Sequence, residues 1–119
     1  MRRVLPVVML LCLFGNSAHA GLKTIGKGDH LQLDPAAFPN NMKERYLLMK
    51  FKCAKCHTLE RTVVALQTGI APISGQPFDR DATRAYGIKM MRKSGANMSK
   101  QEIKEIIELL NFLLDEAAK

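Results

Sequence analysis

The sequence predicts an all-α protein. Six apolar residues recur at helical spacing (i, i+3, i+4, i+7) over residues 103–114: Ile103, Ile106, Ile107, Leu110, Leu113 and Leu114. The segment that runs from Ser99 to Glu102 just before them is a capping box, which is typical of a helix N-terminus. No part of the chain shows the alternation of apolar and polar residues that is typical of strands. These observations predict a long last helix over residues 100–117.

Three shorter helices are predicted ahead of the last one. The first starts near Asn40 or Asn41 and runs to Phe51; its apolar side chains recur at near-helical spacing, with Lys and Arg on the other side. The second continues over residues 58–66. The third covers residues 82–93 and is capped by Asp79 or Asp81. Gly and Pro punctuate the segment between the second and third helices, which predicts a loop there.

The first twenty residues have the pattern of a cleaved export signal. Arg2 and Arg3 precede an apolar run over residues 4–14, and Ala18-His19-Ala20 follows as an A-x-A cleavage site. An uncleaved membrane anchor is the alternative, but the run is shorter than the ~20 residues that span a bilayer. We therefore expect a periplasmic or otherwise exported protein with no stable membrane anchor after cleavage.

The chain that remains after cleavage is small and basic. It comprises an irregular lead-in over residues 21–41, with one helical turn after Asp34-Pro35, and a single domain over residues 42–119. The whole chain has 18 basic and 11 acidic residues, so losing Arg2 and Arg3 leaves a net charge of about +5. This charge favours an acidic docking partner or an anionic membrane surface, although simple solubility also explains it. Nucleic acid is not expected, because no nucleic-acid motif is present.

The motif that carries chemistry is Cys53-Ala54-Lys55-Cys56-His57, the C-x-x-C-H pattern of covalent haem attachment. Thiols at this spacing can bond both vinyl groups of one haem, and His57 is then held beneath the iron as an axial ligand. A dithiol redox site would need a βαβ context, and a structural zinc site would need four ligands. The sequence offers neither, since His30 is the only other histidine after the leader. We therefore expect one covalently attached haem c.

Around this motif the chain resembles the class I c-type cytochromes, in particular the small bacterial monohaem members. The resemblance covers about residues 42–116. It rests on the haem segment, residues 53–60, and on residues 68–75, which look like the Gly-Pro loop of the family. It implies a small cytochrome c fold of three to five helices wrapped around the haem. It also implies that the Pro72 carbonyl accepts a hydrogen bond from Nδ1–H of His57, as a ligating histidine requires.

The family usually takes the sixth iron ligand from a methionine before the last helix. Met98 stands where the family carries a core Leu, so we interpret it as a core residue. Met91 is the favoured ligand, because it precedes Met98 by seven residues, an interval found in the family, and because it shares a helix face with Ile88. Met90 is the alternative.

Two further possibilities for the sixth position stay open. The family frequently has Pro after the ligand methionine, whereas Arg92 follows Met91 here. That departure is compatible with a methionine ligand within a helix, a labile ligand or an open site. His30 would give bis-His ligation, with a lower potential than His/Met ligation.

These features predict an electron carrier rather than an enzyme. It would transfer single electrons between redox partners and transform no substrate. The rival hypothesis is a haem protein with an open or labile sixth site, acting as a small-ligand sensor or a peroxidase-like enzyme; a haem subunit of a larger oxidoreductase is a third. Seven apolar or aromatic residues are candidates for the wall of the haem pocket: Tyr46, Phe51, Ile73, Phe78, Ile88, Ile107 and Leu110.

Overall fold

Four helices form most of residues 21–119, the part of the chain that the computed structural model describes. They are α1 (Asn40–Cys53), α2 (Glu60–Thr68), α3 (Arg80–Met91) and α4 (Lys100–Ala117). The predicted helical class is therefore confirmed. The export signal predicted for residues 1–20 lies outside the described residues. Between residues 21 and 119, no helix is long and apolar enough to cross a membrane.

The helix ends follow from local hydrogen bonds. Asp79 Oδ1 accepts the backbone N–H of Ala82 at 3.0 Å, so α3 begins two residues earlier than predicted. The predicted capping box of α4 is confirmed. Ser99 Oγ accepts the Glu102 N–H at 3.1 Å, and Glu102 Oε2 accepts the Ser99 N–H at 2.8 Å. Gly69, in the left-handed region with φ 71°, ends α2.

The lead-in is more regular than predicted, because it contains a small antiparallel hairpin. Strand β1 (Thr24–Ile25) pairs with β2 (Gln32–Leu33). Gly26 has a φ of 79°, and a Cβ there would collide with the His30 carbonyl. The two strands are only two residues long each, too short for an alternating pattern to show in the sequence.

The hairpin is fixed to α1 by one buried hydroxyl. Tyr46 Oη accepts the Leu33 N–H at 3.0 Å and donates to the Leu33 carbonyl at 3.1 Å. Burial raises the pKa of Tyr46, although the bond to the Leu33 backbone opposes that rise. A turn closed by the Phe38 N–H and the Pro35 carbonyl, 3.0 Å apart, then leads into α1. This turn lies where the sequence predicted one.

The last helix is the centre of the core, and α1, α2 and α3 all pack against it. Its buried residues are Ile103, Ile106, Leu109, Leu110 and Leu113. The predicted stripe omitted Leu109, which is 0% exposed, and included Ile107 and Leu114, which are only half-buried. Because α4 has neighbours on several sides, its buried face is wider than a single stripe.

Helix α3 approaches α4 closely along one face. A Cβ at Gly87 would lie 2.7 Å from Cδ1 of Ile107, so only a glycine fits without a shift of that side chain. One turn earlier, the buried Thr83 hydroxyl lies 2.9 Å from Oδ1 of Asn111. This contact determines which face of α3 turns inward.

Candidate cofactor site

A cavity of about 360 Å³ lies between the end of α1, α2, the loop before α3, the second half of α3, and α4. This volume is within the range of small-molecule and cofactor sites. Its wall is largely apolar. The buried apolar residues that line it include Leu59, Ala65, Phe78, Ile103, Ile106 and Leu110.

The haem-attachment motif predicted from the sequence reaches this cavity. Helix α1 ends at Cys53, the chain turns over the next three residues, and both Cys53 and His57 line the cavity. Cys56 is exposed, and both cysteines are free thiols. Burial, assisted by the neighbouring Cys56, raises the pKa of the Cys53 thiol, so the neutral thiol is favoured there.

The imidazole of His57 is held through one ring nitrogen. Nδ1 lies 2.9 Å from the carbonyl oxygen of Thr58. In a neutral ring that contact places the hydrogen on Nδ1 and leaves the Nε2 lone pair free for a metal. The resemblance assigned the acceptor to Pro72. Pro72 does line the cavity, but the carbonyl within hydrogen-bond distance is that of Thr58.

Three methionines line the cavity, and the favoured sixth ligand is not one of them. They are Met49, Met90 and Met98, whereas Met91 lies outside the lining. Met91 is favoured from the sequence partly because it shares a helix face with Ile88. That face turns outward, since Ile88 is 37% exposed. Met90 instead follows Gly87 by three residues, on the face that packs towards α4.

The other predicted wall residues divide into three groups. Ile73, Phe78 and Leu110 line the cavity as predicted. Tyr46 is buried and Ile107 half-buried, but neither lines the cavity. Phe51 and Ile88 are exposed and do not line the cavity. Helical spacing placed these two on regular helices but could not show which side the neighbouring helices would cover.

His30, the bis-His alternative for the sixth position, lies on an exposed 3₁₀ turn, 3.7 Å from Asp29, and is not part of the cavity wall. Within residues 21–119, no three His, Cys, Asp or Glu side chains gather into a metal-binding group.

Two exposed basic side chains line the cavity. They are Arg61 and Lys89, and neither forms a salt bridge within residues 21–119. A shallow groove on the outer face of α3 continues from Lys89 to Arg92 and Lys93. Several acidic side chains are already paired, as Glu108 is with Arg45 at 2.7 Å.

Sequence reasoning missed two residues that bear on the site. Met49 lines the cavity, and Lys52 joins the end of α1 to the loop before α4, yet neither belongs to a motif. The position of Met49 four residues before Cys53 was the available signal, because residues four apart share a helix face. No family profile, no curated protein and no solved structure matches this chain.

Proposed function

We propose that this protein is an exported monohaem c-type cytochrome that carries single electrons between redox partners. The observation that carries the proposal is the meeting of Cys53, His57 and Met90 on one largely apolar cavity. A C-x-x-C-H motif alone predicts haem attachment. A methionine thioether on the same cavity could supply the second axial ligand, as in cytochromes c with Met/His ligation.

The donor set and the lining fit a haem. Cys53 and Cys56 would hold it through thioether bonds, each formed by adding an S–H across a vinyl C=C with no leaving group. His57 is oriented for ligation, because the Thr58 carbonyl fixes Nδ1 and leaves Nε2 free. The apolar lining would exclude water, which favours a higher reduction potential.

Met90 is the sixth ligand in this proposal, in place of Met91. Its side chain belongs to the cavity wall, and that of Met91 does not. Met98 also lines the cavity but directly precedes the cap of α4, where it packs against the core. The bound haem would supply reversible one-electron exchange at iron, and the chain would supply the two axial ligands and a water-poor surrounding.

The expected partners are proteins with acidic docking surfaces. Arg61 and Lys89, which line the cavity, could attract carboxylates towards the side where electrons would enter and leave. Such attraction weakens as ionic strength rises, since salt screens exposed charges.

Visible spectroscopy with potentiometry tests the proposal. The oxidised protein should show thioether ligation, and Met90→Ala should abolish it and lower the midpoint potential. Met91→Ala is the matched control and should leave both unchanged. The opposite pattern would return the ligand to Met91. Loss of haem from the chain during acid–acetone extraction would reject covalent attachment itself.

A further inference from the structure

The Lys52 side chain crosses from the end of α1 to the loop ahead of α4. Its Nζ donates to the Asn97 carbonyl at 2.7 Å and lies 3.2 Å from Glu102 Oε1. Only 13% of the lysine side chain is exposed, the lowest exposure in any ion pair within residues 21–119. A poorly solvated ammonium is costly unless it is paired, so losing this contact is more costly than losing an ordinary surface pair.

The two ends of this contact lie next to residues that line the cavity. Lys52 directly precedes Cys53 of the attachment motif, and Asn97 directly precedes Met98, in the loop between α3 and α4. Lys52 therefore joins the end of α1 to the loop that connects Met90 and Met98.

The Glu102 carboxylate, which pairs with Lys52, has a second role that restricts its position. Glu102 Oε2 accepts the Ser99 N–H at 2.8 Å and so caps α4, while Oε1 faces Lys52. The same two oxygens thus fix the start of α4 and the end of α1 relative to each other.

The loop that Lys52 holds has an unusual backbone. Asn97 has a φ of 49°, and within residues 21–119 it is the only non-glycine residue with positive φ. Gly95, two residues earlier, has a φ of 77°. Such backbone conformations persist when surrounding contacts hold them, and the Lys52 bond to the Asn97 carbonyl is such a contact.

We propose that Lys52 is a positioning residue that holds the loop between α3 and α4 against the end of α1, and so limits displacement of the sixth iron ligand. The inference rests on the proposed function. With Lys52 in place the protein is an electron carrier with a closed site. Without it, the loop opens more often and the iron becomes accessible to small ligands, as in the rival hypothesis.

Imidazole is the probe for this role, titrated into the oxidised holoprotein. Lys52→Met should bind imidazole about tenfold more tightly, because the open state that accepts it is more populated. Amide hydrogen exchange over residues 92–98 should accelerate by about the same factor, since exchange there follows local opening. Lys52→Arg, which keeps the charge and the donors, should restore slow exchange and weak binding.

Lys50→Met is the matched control. It removes the same charge from the same helix, but its ammonium lies over the Tyr46 ring, 5.6 Å from the centroid. Its imidazole affinity should stay within about twofold of wild type, because this surface contact does not hold the loop. Equal effects of Lys52→Met and Lys50→Met would overturn the proposal and leave only a charge effect.

Two further outcomes are decisive. If Lys52→Met does not fold, Lys52→Gln removes the same charge with a smaller change in polarity; unchanged exchange over residues 92–98 in that variant would also overturn the proposal. If the wild-type chain carries no haem, the proposed function fails. Hydrogen exchange in the same variants still decides whether Lys52 holds the loop.

Discussion

The cavity has two unlike walls. The wall formed by α4 is buried, because Ile106 and Leu110, which line the cavity there, are at most 6% exposed. The wall formed by the loops is open, with His57 and Pro72 exposed and Ile73 75% exposed although all three line the cavity. An exposed apolar side chain gains stability only when something covers it. The first wall therefore stabilises the fold, and the second is suited to a partner that is not part of the chain.

The largest expected effect is on the helix wall. Leu109 is 0% exposed at the centre of the core, so Leu109→Ala should lower the free energy of unfolding by about 2–5 kcal/mol. Leu47→Ala on the outer face of α1, 63% exposed, should change it by less than about 0.5 kcal/mol. Denaturant unfolding of the purified protein measures both. Similar values for the two variants would show that α4 is not the centre of packing.

The next largest expected effect concerns the stability that the lead-in gains from its attachment to α1 through Tyr46. Tyr46→Phe removes the acceptor of the buried Leu33 N–H and should cost about 1–3 kcal/mol. Tyr86→Phe is the control, because the Tyr86 hydroxyl has no hydrogen-bond partner among residues 21–119. A lead-in that does not pack on α1 would give equal stabilities for the two variants.

A smaller expected effect on stability distinguishes the loop wall of the cavity from exposed surface outside the cavity. If a cofactor covers Ile73, Ile73→Ser should destabilise the loaded protein by about 1–2 kcal/mol, despite its exposure in the chain alone. Ile70→Ser, 51% exposed and outside the cavity lining, should cost less than about 0.5 kcal/mol. Thermal unfolding of both loaded variants checks the difference, and a cost at Ile73 no larger than at Ile70 would mean that nothing covers the loop wall.

The smallest expected effect is at the contact between Lys52 and Glu102, which joins the end of α1 to the start of α4. The Ser99 backbone N–H, with help from Lys52, holds the pKa of the Glu102 carboxyl below its usual value of about 4.3. Its stabilisation is therefore fully present above that value and is lost as the pH falls through the lowered pKa. The Tm difference between wild type and Glu102→Gln should be constant near neutral pH and shrink in acid. A difference independent of pH down to acid conditions would exclude this role.

The features that the sequence could predict are local ones. The capping box at Ser99 and most of the buried stripe of α4 follow from residue types a few positions apart, and both are present. The attachment motif is also local, and α1 delivers Cys53 to the cavity. The burial of Leu109 depends on helices distant in sequence, which periodicity does not contain.

The same limit applies to the choice between Met90 and Met91. Both are helical, and which of them lines the cavity depends on which face of α3 carries Gly87 towards Ile107. Likewise, the Thr58 carbonyl reaches His57 through the turn that follows α1. A family pattern supplied Pro72 instead, because it describes residue positions and not the path of this particular loop.

The mass of the intact exported protein tests the central claim most directly, after expression in a host that attaches haem c. We predict residues 21–119 plus one haem, with neither Cys53 nor Cys56 available to a thiol-alkylating reagent under denaturing conditions. The double variant Cys53→Ala/Cys56→Ala should show the mass of the chain alone. A wild-type mass without haem and with two alkylated thiols would contradict the account.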